Sequence, residues 1–242
     1  MMGWEEQLLR QIQAEHFSIE KQQRLTDIRA LVIGLGGVGS AAALYLALAG
    51  VQNIGLCDHG LVEESNLHRQ ILYGADELGL RKVDIAAEQL LRRNPLLRPV
   101  SYLMDVEQGL LDFQDPYDLV LDCLDNSPAR LAVAAYAHRQ RIPVISAGAQ
   151  DWGGFIALFH SVDTACFSCL YGISAREAPY DPPGIVGPAA GTIGTWQAAR
   201  AIRLIIDQVI PAPAEYTTID LWSQQLHTLK ILKRPDCPVC SC

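Results

Sequence analysis

The sequence lacks the features that would place the protein in a membrane or on a nucleic acid. No apolar run reaches the roughly 18 residues that a membrane-spanning helix needs. Met1–Arg10 contains Glu5 and Glu6 rather than the apolar centre of a signal peptide. Acidic residues outnumber basic ones by 27 to 19, and the net charge of −8 argues against a basic nucleic-acid footprint. We therefore expect a cytoplasmic protein with neither a membrane nor a nucleic acid as partner.

A glycine-rich segment gives the first positive signal. The apolar run Ala30–Ile33 has no charge, as expected of a strand buried on both faces. Gly34, Gly36 and Gly39 follow it in the spacing G-x-G-x-x-G, and Ala41–Ala49 has the composition of a helix. Glycines allow a tight turn with close backbone approach, and a helix N-terminus offers free N–H groups to an anion. Together these elements predict a phosphate-binding site for a nucleotide.

Polar side chains follow at the predicted carboxyl end of the next strand and behind it. Asp58 ends that strand, where a carboxylate suits ribose hydroxyls. The following loop carries Asn66, Arg69 and Gln70, a cluster suited to phosphate or ribose contacts. Lys82 lies in the first turn of a predicted helix, where the helix dipole disfavours a cation unless an anion is bound nearby. An ordinary surface lysine explains Lys82 equally well.

A second acidic segment, Asp122–Asn126, ends the predicted strand Asp118–Asp122. Asp125 is a candidate magnesium ligand, because magnesium takes oxygen ligands and binds together with substrate phosphates. Asn126 suits either this site or the N-cap of the next helix, where Pro128 fits near the first position.

The order of the predicted elements indicates the fold. Up to residue 147 strands alternate with helices, which implies a parallel, doubly wound sheet. Further strands are predicted at Phe155–His160, Tyr216–Trp222 and Gln225–Leu232, with a long helix at Thr192–Val209 and a loop at Tyr171–Gly187. We predict an α/β, Rossmann-like fold whose doubly wound, mainly parallel sheet is extended by C-terminal antiparallel strands.

The whole chain is predicted to form one domain. Half of its 242 residues are hydrophobic, which is enough for one well-filled core. Within residues 1–242 we expect an N-terminal helical arm (1–28), a nucleotide-binding half (29–150) and a C-terminal half (151–242).

Four of the seven cysteines form two C-x-x-C pairs, Cys166/Cys169 and Cys237/Cys240. One pair alone would fit a redox dithiol, but two pairs favour a tetrahedral four-thiolate zinc site. Such a site leaves no position open for water. We therefore predict a structural zinc knot that ties the C-terminal tail to the rest of the chain.

In this order and spacing the motifs resemble the ThiF/MoeB/HesA family, bacterial relatives of ubiquitin-activating enzymes. The resemblance runs from about Arg10 to Cys240 and rests on Gly34–Ser40, Asp58, Ser65–Gln70, Lys82, Asp122–Asn126 and the two C-x-x-C pairs. It implies an adenylyltransferase that uses ATP and magnesium to adenylate a small ubiquitin-like sulfur carrier at its C-terminal Gly-Gly, as in thiamine or molybdopterin sulfur transfer. It also implies a C-terminal half that binds the carrier, a homodimer and a separate sulfur donor.

The resemblance assigns roles by position. The implied catalytic residues are Arg10, Arg69, Lys82 and Asp125. The implied nucleotide-binding residues are Gly34, Gly36, Gly37, Gly39, Asp58, Asn66, Arg69, Gln70, Lys82, Asp125 and Asn126. Asp58 would bind the ribose and Asp125 the magnesium. In family dimers the arginine at the position of Arg10 reaches the ATP of the other subunit.

The same resemblance raises the question of covalent chemistry, for which this sequence has few thiols. No cysteine lies between Cys169 and Cys237, so the loop Tyr171–Gly187 offers no thiol to an activated carrier. Cys57 and Cys123 are predicted to be buried at strand ends, and Cys242 is a terminal thiol. We expect no covalent bond between this loop and the carrier.

Three other functions stay open at this point. A non-enzymatic family member would only bind and scaffold a carrier, although the retained phosphate-binding residues argue against it. An NAD-dependent oxidoreductase would share the glycine motif and Asp58 but would leave Asn66, Lys82 and Asp125 without a role. A family member that adenylates a peptide or another substrate would use the same site.

Overall fold

The computed structural model describes residues 4–107, 111–172 and 184–241. Its eight strands are β1 (Arg29–Ile33), β2 (Asn53–Cys57), β3 (Arg98–Tyr102), β4 (Leu119–Asp122), β5 (Val144–Gln150), β6 (Gly153–Phe159), β7 (Ala214–Asp220) and β8 (Gln225–Ile231). The described helices are α1 (Trp4–Ile12), α2 (Ile19–Asp27), α3 (Gly37–Leu48), α4 (Lys82–Arg93), α5 (Ser127–Gln140), α6 (Phe167–Tyr171) and α7 (Gly187–Asp207).

All eight strands form one sheet in the order β3-β2-β1-β4-β5-β6-β7-β8. The first five in this order are parallel, and β6, β7 and β8 add antiparallel strands at one side. The predicted fold class is therefore confirmed. The order reverses between β1 and β4, so a crevice opens between the segments that follow these two strands, as in other doubly wound sheets.

Helices cover both faces of the sheet. On one face α3, α4 and α7 share a core with Val32 and Ile145, and on the other α5 packs over Leu31, Ile33 and Val120. Alternate residues of β1 thus enter different cores, which explains why its sequence is apolar throughout. No helix in the described ranges is long and apolar enough to cross a membrane.

Two helices begin earlier than predicted. α3 starts at Gly37 rather than Ala41, so the last glycines of the motif form the first helical turn. α7 starts at Gly187 rather than Thr192, and it has Pro188 in its first turn. The first turns of both helices contain glycine, which has a low helix propensity. The sequence therefore did not predict that the helices begin there.

Other differences are smaller. α2 lies within the predicted helical arm but was not predicted as a separate helix, because its sequence is mostly polar. Ser18 caps it by accepting a hydrogen bond from the backbone N–H of Lys21 at 3.2 Å. α4 begins at Lys82, which therefore lies in its first turn, as predicted. Tyr171 ends α6 instead of starting a loop. Residues 173–183 of the predicted loop, and Cys242, lie outside the described residues.

Candidate active site

A large cleft opens along the carboxyl edge of the parallel strands, at the reversal between β1 and β4. Its volume is about 1020 Å³. Ten of the residues predicted to bind a nucleotide line it: Gly34, Gly36, Gly37, Asp58, Asn66, Arg69, Gln70, Lys82, Asp125 and Asn126. The fold thus brings into one cleft side chains that are about 90 residues apart in sequence.

The glycine turn between β1 and α3 is shaped by its surroundings. Gly34 has φ +89°, and a Cβ there would lie 2.8 Å from the carbonyl oxygen of Cys123. A Cβ at Gly39 would overlap the Gly34 carbonyl, so Gly39 serves packing and does not line the cleft. At Gly36 a Cβ would meet only the Gln70 amide nitrogen, at 3.8 Å. The space above Gly36 and the uncapped N-terminus of α3 therefore suit a phosphate group.

Asp58 is held in a fixed orientation at the end of β2. One carboxylate oxygen accepts the Leu35 N–H at 2.7 Å, and the other accepts the Gly60 N–H at 2.6 Å. The ammonium of Lys82 lies on the same side, 3.3 Å from where a Cβ of Gly60 would be. A carboxylate for ribose hydroxyls and a cation for phosphate are therefore close together on one wall of the cleft.

The loop after Asp58 forms another wall of the cleft. Asn66 and Gln70 are buried, and the Gln70 side-chain oxygen has no hydrogen-bond partner among the described residues. The Arg69 guanidinium donates to the Ser65 carbonyl at 2.9 Å, and its side chain lies against Gly37. A buried amide oxygen without a donor is costly, so a ligand that donates a hydrogen bond to Gln70 would complete this wall.

Asp125 and Asn126 follow β4 on the opposite side of the crevice. Asp125 is exposed to the cleft. The Asn126 side-chain oxygen accepts the Ala129 N–H at 2.9 Å and so caps α5. Of the two roles proposed for Asn126, the structure shows the capping role, while Asp125 is left available to a ligand.

Sequence reasoning missed a buried ion pair beneath Asp125. The Arg130 guanidinium donates to the Asp122 carboxylate at 3.0 Å, to the Ala147 carbonyl at 2.8 Å and to the Leu124 carbonyl. Ser146 donates to the same carboxylate at 2.7 Å. Because Leu124 immediately precedes Asp125, these contacts fix the Asp125 turn. The sequence signal that could have revealed this ion pair is an arginine within the otherwise apolar part of helix α5.

The same guanidinium connects the cleft to the cysteine cluster. It lies 5.2 Å from the ring centroid of Phe155 on β6 and 5.8 Å from that of Phe167 on α6. Phe167 is part of the Cys166–Cys169 segment. The position of α6 is therefore coupled to the turn that carries Asp125.

The four cysteines of the two C-x-x-C pairs come together as predicted. Their sulfur atoms lie within 4.8 Å of one another and all four residues are buried. The sulfur–sulfur distances are 3.5 Å for Cys166–Cys237, 3.4 Å for Cys169–Cys240 and 4.0 Å for Cys166–Cys169. A tetrahedral zinc with bonds of ~2.3 Å requires about 3.8 Å between sulfurs. The cluster therefore fits a closed, structural zinc site.

The other two described thiols are poor nucleophiles. Burial, helped by the charge of Asp58, raises the pKa of the Cys57 thiol to about 12. Burial also raises the pKa of Cys123 well above its usual range. Since the thiolate is the reactive form, both cysteines act as packed side chains, as predicted.

Arg10 is the one predicted catalytic residue that lies away from the cleft. It is exposed on α1. α1 packs at the C-terminal end of α3, where Gln11 donates to the Ala49 carbonyl at 2.9 Å. The glycine turn is at the other end of α3, about 18 Å away for 12 residues. Arg10 is therefore not part of the cleft of this chain.

Known proteins of one family match this chain along nearly its whole length. Residues 8–239 match the ThiF family. The molybdopterin-synthase adenylyltransferase of Escherichia coli (strain K12) is 36% identical over 235 residues, covering 96% of this chain and 94% of that protein. The sulfur carrier protein ThiS adenylyltransferase of the same organism is 35% identical over 234 residues, covering 96% and 93%.

Solved structures of E. coli MccB share the fold. One, determined with succinimide, has a TM-score of 0.85 at 22% sequence identity, covering 97% of this chain and 74% of that chain. Another was determined with ATP and has a TM-score of 0.81 at 22% identity, covering 93% and 70%.

Proposed function

Because this chain belongs to the ThiF family, we propose that it adenylates the C-terminal carboxylate of a small ubiquitin-like sulfur carrier, using ATP and releasing pyrophosphate. The main structural support for this proposal is that one cleft is lined by the glycine turn, Asp58, Arg69, Lys82 and Asp125. The two relatives at 35–36% identity are both adenylyltransferases, which favours this chemistry over an oxidoreductase.

The residues have separate roles in this proposal. The glycine turn and the N-terminus of α3 hold the phosphates, while Asp58 orients the ribose. The incoming carboxylate must approach a highly negative triphosphate, so Arg69 and Lys82 reduce the repulsion and stabilise charge on the departing pyrophosphate. The chain needs no nucleophile of its own, because the carrier provides the carboxylate that attacks the α-phosphate.

Asp125 is the residue best suited to hold magnesium. Its carboxylate is exposed to the cleft and lies beyond the ion pair that occupies Asp122. When bound there with the nucleotide, magnesium would neutralise phosphate charge. Zinc, in contrast, would be held by the four buried cysteines and would have no open position for a substrate.

The assembly and the sulfur step are also proposals. We expect a homodimer in which Arg10 reaches the cleft of the partner subunit, because it cannot reach its own. Sulfur would come from a separate donor that attacks the carrier adenylate, since burial makes Cys57 and Cys123 unreactive. We expect the reaction to take place in the cytoplasm.

The test is carrier-dependent exchange of labelled pyrophosphate into ATP, with the sulfur carrier protein ThiS as the carrier. We expect exchange with intact ThiS and magnesium, and none with ThiS that lacks its last two residues. Mass spectrometry without reductant should detect no covalent adduct between the two proteins. Absence of exchange, combined with a rise in melting temperature on addition of NAD but not of ATP and magnesium, would favour the oxidoreductase instead.

A further inference from the structure

Two exposed tryptophans form one surface at the outer end of the cleft. Trp152 is 47% exposed and Trp222 is 75% exposed, and both line the cleft. Their ring centroids lie 5.2 Å apart at an interplanar angle of 62°, an edge-to-face arrangement. Tryptophan is enriched among the residues that contribute most to binding between proteins. Two exposed tryptophans side by side therefore indicate a binding surface.

Backbone hydrogen bonds join the two turns that carry this tryptophan pair. Trp222 lies in the β7–β8 turn, where the Asp220 carboxylate accepts the backbone N–H of Trp222 at 2.8 Å and the hydroxyl of Ser223 at 2.8 Å. Trp152 lies in the β5–β6 turn, and its carbonyl accepts the Leu221 N–H at 2.9 Å. The two turns are thus joined directly. The backbone of the two turns is therefore ordered before a ligand binds, which reduces the conformational freedom lost on binding.

The tryptophan pair is at the same edge of the sheet as the glycine turn. In the sheet order, β7 lies four strands away from β1. With about 4.8 Å between strands, the Trp222 turn is roughly 19 Å from the glycine turn. An extended peptide spans that distance with about six residues at ~3.3 Å each. Between the two points the cleft is lined by Gly148, Ala149 and Gly154.

We propose that the Trp152–Trp222 pair is a specificity subsite for the carrier's C-terminal tail. It contacts the tail about six residues before the terminal carboxylate and selects an apolar side chain at that position. This inference rests on the proposed function, because it requires a carrier tail whose carboxylate reaches the phosphates. The large apolar area of the two rings supplies affinity for the tail, while the glycine turn and its cations act on the nucleotide.

The experiment compares two tail lengths. The probes are whole ThiS, a synthetic peptide of its last ten residues and a synthetic peptide of its last four. Trp152→Ala and Trp222→Ala should each raise the KM for ThiS and for the ten-residue peptide about tenfold in pyrophosphate exchange. Neither variant should change the KM for ATP or for the four-residue peptide, which ends before it reaches the tryptophans.

The matched control is Leu232→Ala, a residue 73% exposed that lies just beyond the far end of β8. It should change none of these values. If the wild-type protein binds ThiS by calorimetry and exchanges pyrophosphate, but the tryptophan variants keep its KM, the subsite is refuted and the proposed function stands. If the wild-type protein neither binds nor uses any of the three probes, both proposals are contradicted.

Discussion

Asp122 and Asp125 are three residues apart and have opposite environments. Asp122 is fully buried, and its carboxylate is occupied by Arg130 and Ser146. Asp125 is exposed to the cleft. A buried carboxylate with this many partners fixes backbone geometry, whereas an exposed one remains available to a cation. The two residues therefore divide the work of holding the turn and of binding.

Replacing Asp125 should separate activity from folding. We expect Asp125→Ala to lower carrier-dependent pyrophosphate exchange about a hundredfold or more, as losses of single charge-stabilising groups do. Its melting temperature should stay within about 1–2 °C of wild type, because exposed carboxylates add little to stability. Asp84→Ala, which removes an exposed carboxylate from α4 outside the cleft, is the control and should change neither value. Full exchange by a folded Asp125→Ala protein would contradict the role.

At the residue scale, the sequence was informative where a side chain follows a buried strand. Asp58 and Asp125 were placed correctly, because the carboxyl ends of parallel strands share one edge. Arg130 was missed, because its partners come from three separate segments and no spacing reveals them. Asn126 had two interpretations that the sequence could not separate, since a capping amide and a ligand-binding amide look alike without coordinates.

At the scale of elements, the short helix α6 joins the cysteine cluster to the cleft. Cys166 and Cys169 fix its position in the cluster, and Phe167 presents its ring to Arg130. Arg130 in turn holds the Leu124 carbonyl next to Asp125. A metal in the cluster would therefore affect nucleotide binding through packing, although it takes no part in the chemistry.

Two variants test this coupling. Cys237→Ser should release zinc and, if ~3 kcal/mol is lost, lower the melting temperature by about 6–12 °C. It should also raise the KM for ATP with magnesium. Phe167→Leu should retain one zinc per chain by metal analysis but still raise that KM several-fold, because Arg130 loses one of its two aromatic contacts, the one that links it to α6. The control Val133→Ala empties a buried position on α5 in the core that contains Leu31 and Val120, and it should lower only the melting temperature. An unchanged KM in both cysteine and phenylalanine variants would refute the coupling.

Prediction of the elements succeeded for strands and failed at helix starts. The C-terminal strands β6, β7 and β8 begin and end within two residues of the predicted bounds, and their antiparallel pairing is confirmed. The start of α7 was hidden by Gly187, where a Cβ would overlap the carbonyl of His68 in the loop after Asp58. That glycine is set by a tertiary contact, which local propensity does not contain.

At the scale of the whole molecule, the strand order explains how one cleft combines both halves of the chain. The reversal between β1 and β4 places the glycine turn opposite Asp125, and the antiparallel extension brings β6 and β7 to the same edge. The arm is the exception, since α1 lies at the far end of α3 from the glycine turn. Arg10 therefore meets a cleft only if a second subunit brings its own cleft to that side of the molecule.

Mixed dimers decide whether Arg10 acts across subunits. Arg10→Ala and Asp125→Ala should each be inactive alone. In their heterodimer, one cleft keeps its own Asp125 and receives the intact Arg10 of the other chain. Random pairing in a two-fold dimer should then restore roughly a quarter of wild-type exchange.

The matched control mixes Arg10→Ala with a chain that carries both substitutions, which leaves no Arg10 in any dimer and should restore nothing. Subunit exchange is verified with two affinity tags. If tagged heterodimers form and the first mixture stays as inactive as the control, Arg10 does not act in the partner's cleft. If Arg10→Ala alone retains wild-type exchange, the residue has no catalytic role in either subunit. Recovery in the first mixture only would establish that each cleft is completed by the arm of the other chain, because no single chain in that mixture holds both residues.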